Sequence, residues 1–186
     1  WIQDDGAWYY MNGDGLVSKG WLNQSGKSYY LDDTTGKMIT GWKSDSGKWY
    51  YFGSSGALSK GWINDNGTWY YSNQDGVMQT GWLDDGGERY YLKGSGAMAT
   101  GWREMDGAWY YFEGSGRMAK GVIDVGGLHY YMDPSTGRMA AGTTVDIGGV
   151  AYTADGNGVL SQVAQESGNE TGDSQTGNVQ TQALDG

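Results

Sequence analysis

The chain of 186 residues has no cysteine, one proline, one histidine and two phenylalanines. Without cysteine there is no disulfide scaffold and no thiolate zinc or iron–sulfur site. A single histidine disfavours a multi-histidine metal centre or a conventional Ser–His–Asp enzyme, and no cofactor is expected. No apolar run reaches the roughly 18 residues a bilayer span requires, so no membrane insertion is expected. Basic residues are scarce, 12 against 22 acidic, for a net charge of −10. That balance disfavours nucleic acid as a partner and suits a cationic one. No glycine-rich phosphate loop of the P-loop or dinucleotide type occurs. The sequence opens on Trp1, without initiator methionine or signal peptide, which reads as a mature or excised piece with an additional domain possible in the full-length chain. What is abundant is glycine (35), tyrosine (15) and tryptophan (10). Interior glycine costs a helix about 1 kcal/mol relative to alanine, so long helices are not expected.

The organising feature is an internal repeat. Gly-Trp recurs at Gly20-Trp21, Gly41-Trp42, Gly61-Trp62, Gly81-Trp82 and Gly101-Trp102, in steps of 21, 20, 20 and 20 residues, and degenerates at Gly121-Val122 and Gly142-Thr143. Trp1 holds the same register. Seven positions after each comes Trp8, Ser28, Trp49, Trp69, Arg89, Trp109 or His129, always followed by two tyrosines. An apolar residue then precedes the next repeat: Val17, Met38, Leu58, Met78, Met98, Met118 and Met139. The last copy is eroded, with Val150-Ala151-Tyr152-Thr153 in place of the aromatic stretch.

Each repeat reads as a β-hairpin and a loop. In Trp62-Ile63-Asn64, Asp65-Asn66-Gly67 and Thr68-Trp69-Tyr70-Tyr71, two short strands flank residues suited to the positive φ angles of tight hairpin turns. A lone hairpin is marginal in water, but stacked copies bury aromatic faces against one another. The expected fold is all-β: a solenoid of about seven stacked hairpin repeats of ~20 residues over residues 1–160. Residues 161–186 contain no aromatic, Lys or Arg and are expected to form a disordered, low-complexity acidic tail or linker.

Strand alternation sets Trp69 and Tyr71 on one face and Tyr70 on the other. Trp62, across the hairpin, shares the first. Stacking the next hairpin is expected to bring its second tyrosine beside the two tryptophans, with Met or Leu as a floor. A cage of indoles and a phenol suits a quaternary ammonium, which cannot hydrogen-bond and is drawn to the π faces. The same aromatic spacing would also serve a purely packed core. Ser28 and Arg89 in place of the second Trp favour a half-open groove, because a buried position tolerates neither well.

At Gly-Trp, then Trp-Tyr-Tyr, then Gly-x-Met, the sequence resembles the choline-binding repeat of Gram-positive bacterial surface proteins and lysins, strongly over residues 1 to about 142 and weakly over 143–160. The resemblance implies a left-handed hairpin solenoid that grips choline or phosphocholine on teichoic or lipoteichoic acids, with sites between consecutive hairpins. Carried onto this sequence it implies four cages: Trp1, Trp8 and Tyr30; Trp42, Trp49 and Tyr71; Trp62, Trp69 and Tyr91; and Trp102, Trp109 and Tyr131. The matching floors are Val17, Leu58, Met78 and Met118. The Trp21/Ser28/Tyr51 and Trp82/Arg89/Tyr111 sets are incomplete and expected to be weak or empty, and the Val122/His129 repeat is expected to be a cap.

The implied role is a non-catalytic, extracellular module anchoring a protein to the cell wall, as in an adhesin or a lysin. Carbohydrate binding by related glucan-binding repeats is the alternative. A structural spacer and an enzyme are further rivals, the last disfavoured by the missing nucleophile–base set. His129 reads as a packing substitute for Trp. Asp155-Gly156-Asn157-Gly158 faintly resembles a calcium loop but lacks the acidic residue at loop position 12 and reads as a turn. Asp4-Asp5 and Asp84-Asp85 read as solvated turn residues.

Overall fold

The computed structural model describes residues 1–163. These residues form hairpins and loops, with no helix. Eight antiparallel hairpins follow in chain order: β1 (Ile2–Asp4) with β2 (Ala7–Tyr9), β3 (Gly20–Gln24) with β4 (Lys27–Leu31), β5 (Gly41–Asp45) with β6 (Lys48–Phe52), β7 (Gly61–Asp65) with β8 (Thr68–Ser72), β9 (Gly81–Asp85) with β10 (Glu88–Leu92), β11 (Gly101–Met105) with β12 (Ala108–Phe112), β13 (Gly121–Val125) with β14 (Leu128–Met132), and β15 (Thr143–Ile147) with β16 (Val150–Ala154). The eroded copy thus makes an eighth hairpin beyond the seven clear repeats. β17 (Leu160–Gln162) pairs with β16 as a third strand. The repeat module therefore runs past residue 160: Ser161 and Gln162, expected in the tail, are held by Thr153 and Tyr152. The rest of the expected disordered tail, 164–186, lies outside the described residues.

Each hairpin closes on two residues with positive φ, such as Asn66 (51°) and Gly67 (83°), or Gly86 (61°) and Gly87 (83°). Two positive values define the type I′ turn, whose twist matches that of the strands. The two longer repeat steps have a local cause. In Asp32-Asp33-Thr34-Thr35-Gly36 and Asp133-Pro134-Ser135-Thr136-Gly137 the loop carries an extra residue. There the Asp32 carboxylate accepts bonds from the Thr34 and Thr35 amides and the Thr35 hydroxyl, and Asp133 does the same with Ser135 and Thr136.

Successive hairpins share no sheet. They are joined by loop backbone: the Met78 amide donates to the Trp49 carbonyl, Met98 to Trp69, Met118 to Arg89 and Met139 to Trp109, each at 2.8 Å. Loops also nest on one another. A Cβ on Gly96 would lie 2.3 Å from Met78 Sδ, and Gly116 and Gly137 stand in the same relation to Met98 and Met118. The core is a row one position beyond each tyrosine pair from the second onward: Leu31, Phe52, Ser72, Leu92, Phe112 and Met132 are all fully buried. Within that row the Ser72 hydroxyl has no hydrogen-bond partner.

Candidate functional site: cages between hairpins

Register fixes which side chains meet. Trp62 lies opposite Tyr71, and Trp69 opposite Asn64, so both tryptophans and Tyr71 project from one face. Tyr70 lies opposite Ile63 on the other. The Trp62 ring sits 5.2 Å from Tyr71 of its own hairpin and 4.8 Å from Tyr90 of the next. It stands nearly perpendicular to Trp69, 81° at 6.4 Å. Two indoles at a right angle form a corner, and Tyr90 closes a third side. The resulting cavity of about 300 Å³ is lined by Trp62, Trp69, Tyr90, Met98, Gly114 and Ser115.

The arrangement recurs in phase. Trp102 and Trp109 meet at 80° and 6.4 Å, Tyr130 lies 4.8 Å from Trp102, and these with Met139, Ala141, Gly156 and Asn157 line a cavity of about 390 Å³. Trp1, Trp8, Tyr29, Met38, Ser54 and Ser55 line one of about 300 Å³. Trp42 packs 4.8 Å from Tyr70, while the Met78 amide binds the Trp49 carbonyl. Each cage thus takes two tryptophans from one repeat and a tyrosine and a methionine from the next. The three cavities add a loop edge from the repeat after that.

The structure corrects the expected cages in two respects. The tyrosine at each cage is the first of the pair, so Tyr29, Tyr70, Tyr90 and Tyr130 stand where Tyr30, Tyr71, Tyr91 and Tyr131 were expected. Hairpins stack with one face against the opposite face of the next. The second tyrosine therefore looks onward: Tyr30 packs on Trp21 (5.3 Å), Tyr71 on Trp62 (5.2 Å) and Tyr91 on Trp82 (5.3 Å), while Tyr131 faces Val122 across its hairpin. The floor is likewise displaced by one repeat. Met38, Met98 and Met139 line the cavities assigned to Val17, Met78 and Met118. Met78 belongs with Trp49 in place of Leu58, and Met118 with Arg89.

Carboxylates hold the first tryptophans. Trp21, Trp42 and Trp62 donate their indole N–H to Asp45, Asp65 and Asp85 at 3.1, 3.1 and 2.9 Å. These aspartates were not expected at the site, although Asp45, Asp65 and Asp85 recur in phase one position before the turn. Asp85 is a ring anchor, and Asp84 pairs with Arg89, so neither is merely a solvated turn residue. A carboxylate on the indole N–H fixes the ring and adds negative potential beside it. Carboxylates also act on two tyrosines at the second position of their pairs, Tyr30 and Tyr51. The Tyr30 hydroxyl donates to Asp33 at 2.7 Å, and that bond, with burial and the charge of Asp33, pushes its pKa up to about 12. Burial, then the Asp65 charge, raises Tyr51.

Other candidates resolve as turns and pairs. His129 lies 3.6 Å from Asp124 across its hairpin. The Asp155 carboxylate accepts the Asn157 and Val159 amides, capping its own turn. Among the described residues no cluster of His, Asp and Glu is placed to hold a metal ion.

Fold and site together define an aromatic-cage repeat protein, in which hairpins stack and their junctions are lined by electron-rich rings. The chain belongs to the choline-binding repeat family, whose model matches residues 1–40, 39–71, 59–100 and 99–144. It is similar to CbpJ from Streptococcus pneumoniae TIGR4, with 42% identity over 87% of this chain and 57% of that one, at a TM-score of 0.79. Choline binding protein F from Streptococcus pneumoniae, solved with a peptidoglycan analogue, matches at 44% identity over 87% and 57% of the two chains, TM-score 0.77. The choline-binding domain of CbpL from the same species matches at 32% over 87% and 85%, TM-score 0.63. The chain spans a little over half the length of the first two relatives. Comparison with curated protein sequences gave no match.

Proposed function

We propose that this module holds choline groups, as phosphocholine on teichoic or lipoteichoic acid, in four inter-hairpin cages, and so keeps its protein at the bacterial surface. The cages are Trp1/Trp8/Tyr29, Trp42/Trp49/Tyr70, Trp62/Trp69/Tyr90 and Trp102/Trp109/Tyr130. The observation that carries the reading is the corner of perpendicular indoles closed by a phenol at Trp62/Trp69 and Trp102/Trp109, with the same two tryptophans, tyrosine and methionine around the Trp1 cavity. Such a pocket offers π faces to a trimethylammonium group. In the Trp62 cavity Ser115 is the one lining side chain that is neither aromatic nor apolar, a poor match to a sugar ring with many hydroxyls. Choline-binding protein F has also been solved in complex with ipratropium, introduced by soaking.

Each ring contact with a cation contributes about 0.5–2 kcal/mol. Three give a few kcal/mol, near the roughly 4 kcal/mol of a millimolar site. Several such sites on one rod engage a polymer that repeats the ligand far more strongly through effective concentration. Similar repeats occur in the modular autolysin LytC from Streptococcus pneumoniae, at 30% identity, which fits a binding role alongside other modules. The test is retention on a tertiary or quaternary amine resin and elution by free choline. Elution by dextran with no response to choline would replace this reading with the carbohydrate one.

A further inference from the structure

The six junctions that start from a repeat tryptophan are of two kinds. Where both tryptophans are present, the next hairpin presents an aliphatic residue at the third position of its first strand: Leu22, Ile63, Leu83 or Ile123. Where the second tryptophan is missing, at Trp21/Ser28 and Trp82/Arg89, that position is Lys43 or Arg103. The chain's two phenylalanines fall at the same two places, Phe52 and Phe112 in the core row. Cation, phenylalanine and lost tryptophan therefore travel together.

The geometry gives the reason. Lys43 Nζ lies 4.8 Å from the centre of the Tyr30 ring and 3.8 Å from Asp33. The Arg89 guanidinium lies 5.3 Å from the centre of Trp82, held by Asp84 through bonds of 2.8 and 3.2 Å. Arg103 faces the same junction as Tyr110, its cross-strand neighbour, which packs on Trp82 at 5.2 Å. Phe52 packs on Trp21 (5.6 Å) and Tyr30 (6.3 Å), and Phe112 on Trp82 (5.9 Å) and Tyr91 (6.3 Å).

Resting on the choline reading of the four complete cages, we infer that the second and fifth junctions are closed to ligand because the protein's own cations occupy their rings. Arg89 covers the Trp82 face that a quaternary ammonium would use, Lys43 sits over Tyr30 beside Trp21, and Arg103 adds a second charge at the fifth junction, so both junctions repel a further positive charge. Each phenylalanine fills the inner side of the remaining indole. These junctions act as structural links, and the order along the rod is open, closed, open, open, closed, open. Lys43, Arg89 and Arg103 are thus specificity-determining residues that set the ligand count at four.

The test is a choline titration of the full chain followed by the indole N–H resonances, with sodium chloride as the ionic-strength control. Trp1, Trp42, Trp62 and Trp102 are expected to shift and Trp21 and Trp82 to stay. Movement of Trp21 and Trp82 at the same choline concentration overturns the inference. Arg89→Trp with Arg103→Ile and Phe112→Leu should open a fifth site, raising stoichiometry from four to five and making Trp82 responsive. A folded variant that stays at four also overturns it. If that variant does not fold, Ser28→Trp with Lys43→Leu and Phe52→Leu makes the same test at the second junction. A ligand-free readout separates the inference from the choline reading. The Lys43 ε-methylene and Arg89 δ-methylene protons should be displaced upfield by the ring currents beneath them, and random-coil values overturn the self-filled junctions. Upfield methylenes with no indole responding to choline would support the filled junctions and refute the choline reading alone.

Discussion

At the scale of single residues, the cage depends on side chains that never touch its cavity. Asp85 is one: it accepts the indole proton of Trp62 from the following hairpin. A net hydrogen bond of this kind is worth about 0.5–1.5 kcal/mol. Asp85→Ala is therefore expected to weaken choline at the Trp62 cage by up to about tenfold and to move that indole N–H resonance upfield, leaving the Trp102 cage unchanged. Site-resolved titration checks it. A second expectation concerns alkali. Tyr30 is buried, with its hydroxyl on Asp33, and its pKa is raised from 10.0 to about 12. The folded state keeps this proton after the unfolded chain has released it. The resulting stabilisation is complete below the ordinary tyrosine pKa and is lost as pH rises through about 12. Ultraviolet titration should show Tyr30 ionising after the exposed phenols, and Asp33→Ala should bring it forward.

At the scale of the repeat element, the loop glycines do two jobs that separate experimentally. Gly67 at a hairpin tip needs only its positive φ of 83°, since a Cβ there would meet nothing within 4 Å. Gly96 has a φ of 84° and also lies against Met78, 2.3 Å from Sδ to an added Cβ. Gly67→Ala is expected to cost about 1–2 kcal/mol through the left-handed backbone alone. Gly96→Ala should cost a further 1–3 kcal/mol or so from overpacking. Denaturant unfolding measures both, and Met78→Ala should recover part of the second loss.

How far the element could be read in advance follows from these residues. Hairpins, turns and repeat length are visible because a type I′ turn favours Asn, Asp or Gly, with Gly second in every copy, and because the tyrosine pairs mark a strand in seven of the eight copies. The face meeting the neighbour is not visible. Alternation separates Tyr29 from Tyr30 but cannot say which of them looks back toward Trp1. Nor does spacing tell that Met38, rather than Val17, lies under Trp1. The buried row escapes notice because Leu31, Phe52, Ser72, Leu92, Phe112 and Met132 share a register and little chemistry.

At the scale of the whole molecule, sites and stability are linked. A ligand bound between hairpins stabilises only the stacked state, so choline is expected to raise the unfolding temperature in a concentration-dependent way, by about 2.7 kcal/mol of stability at one hundred times the dissociation constant for a single site. Scanning calorimetry across choline concentrations checks this, and an unchanged profile would count against binding at the junctions. The worn copies at the C-terminal end belong in the same account. The repeat with Val122 and His129 supplies Tyr130 to the Trp102 cavity, and the copy after it supplies Gly156 and Asn157. Removing residues from 143 onward should loosen choline at Trp102 while leaving Trp1 and Trp62 as they were.

Because each cavity borrows its rear wall and its rim from later copies, tandem duplication of one twenty-residue unit inside the array creates a whole new receptor in a single genetic event. Decay of a copy's own tryptophans, by contrast, leaves its upstream neighbour's receptor intact. Lineages can in this way raise or lower valency by unequal crossing-over without redesigning any one pocket.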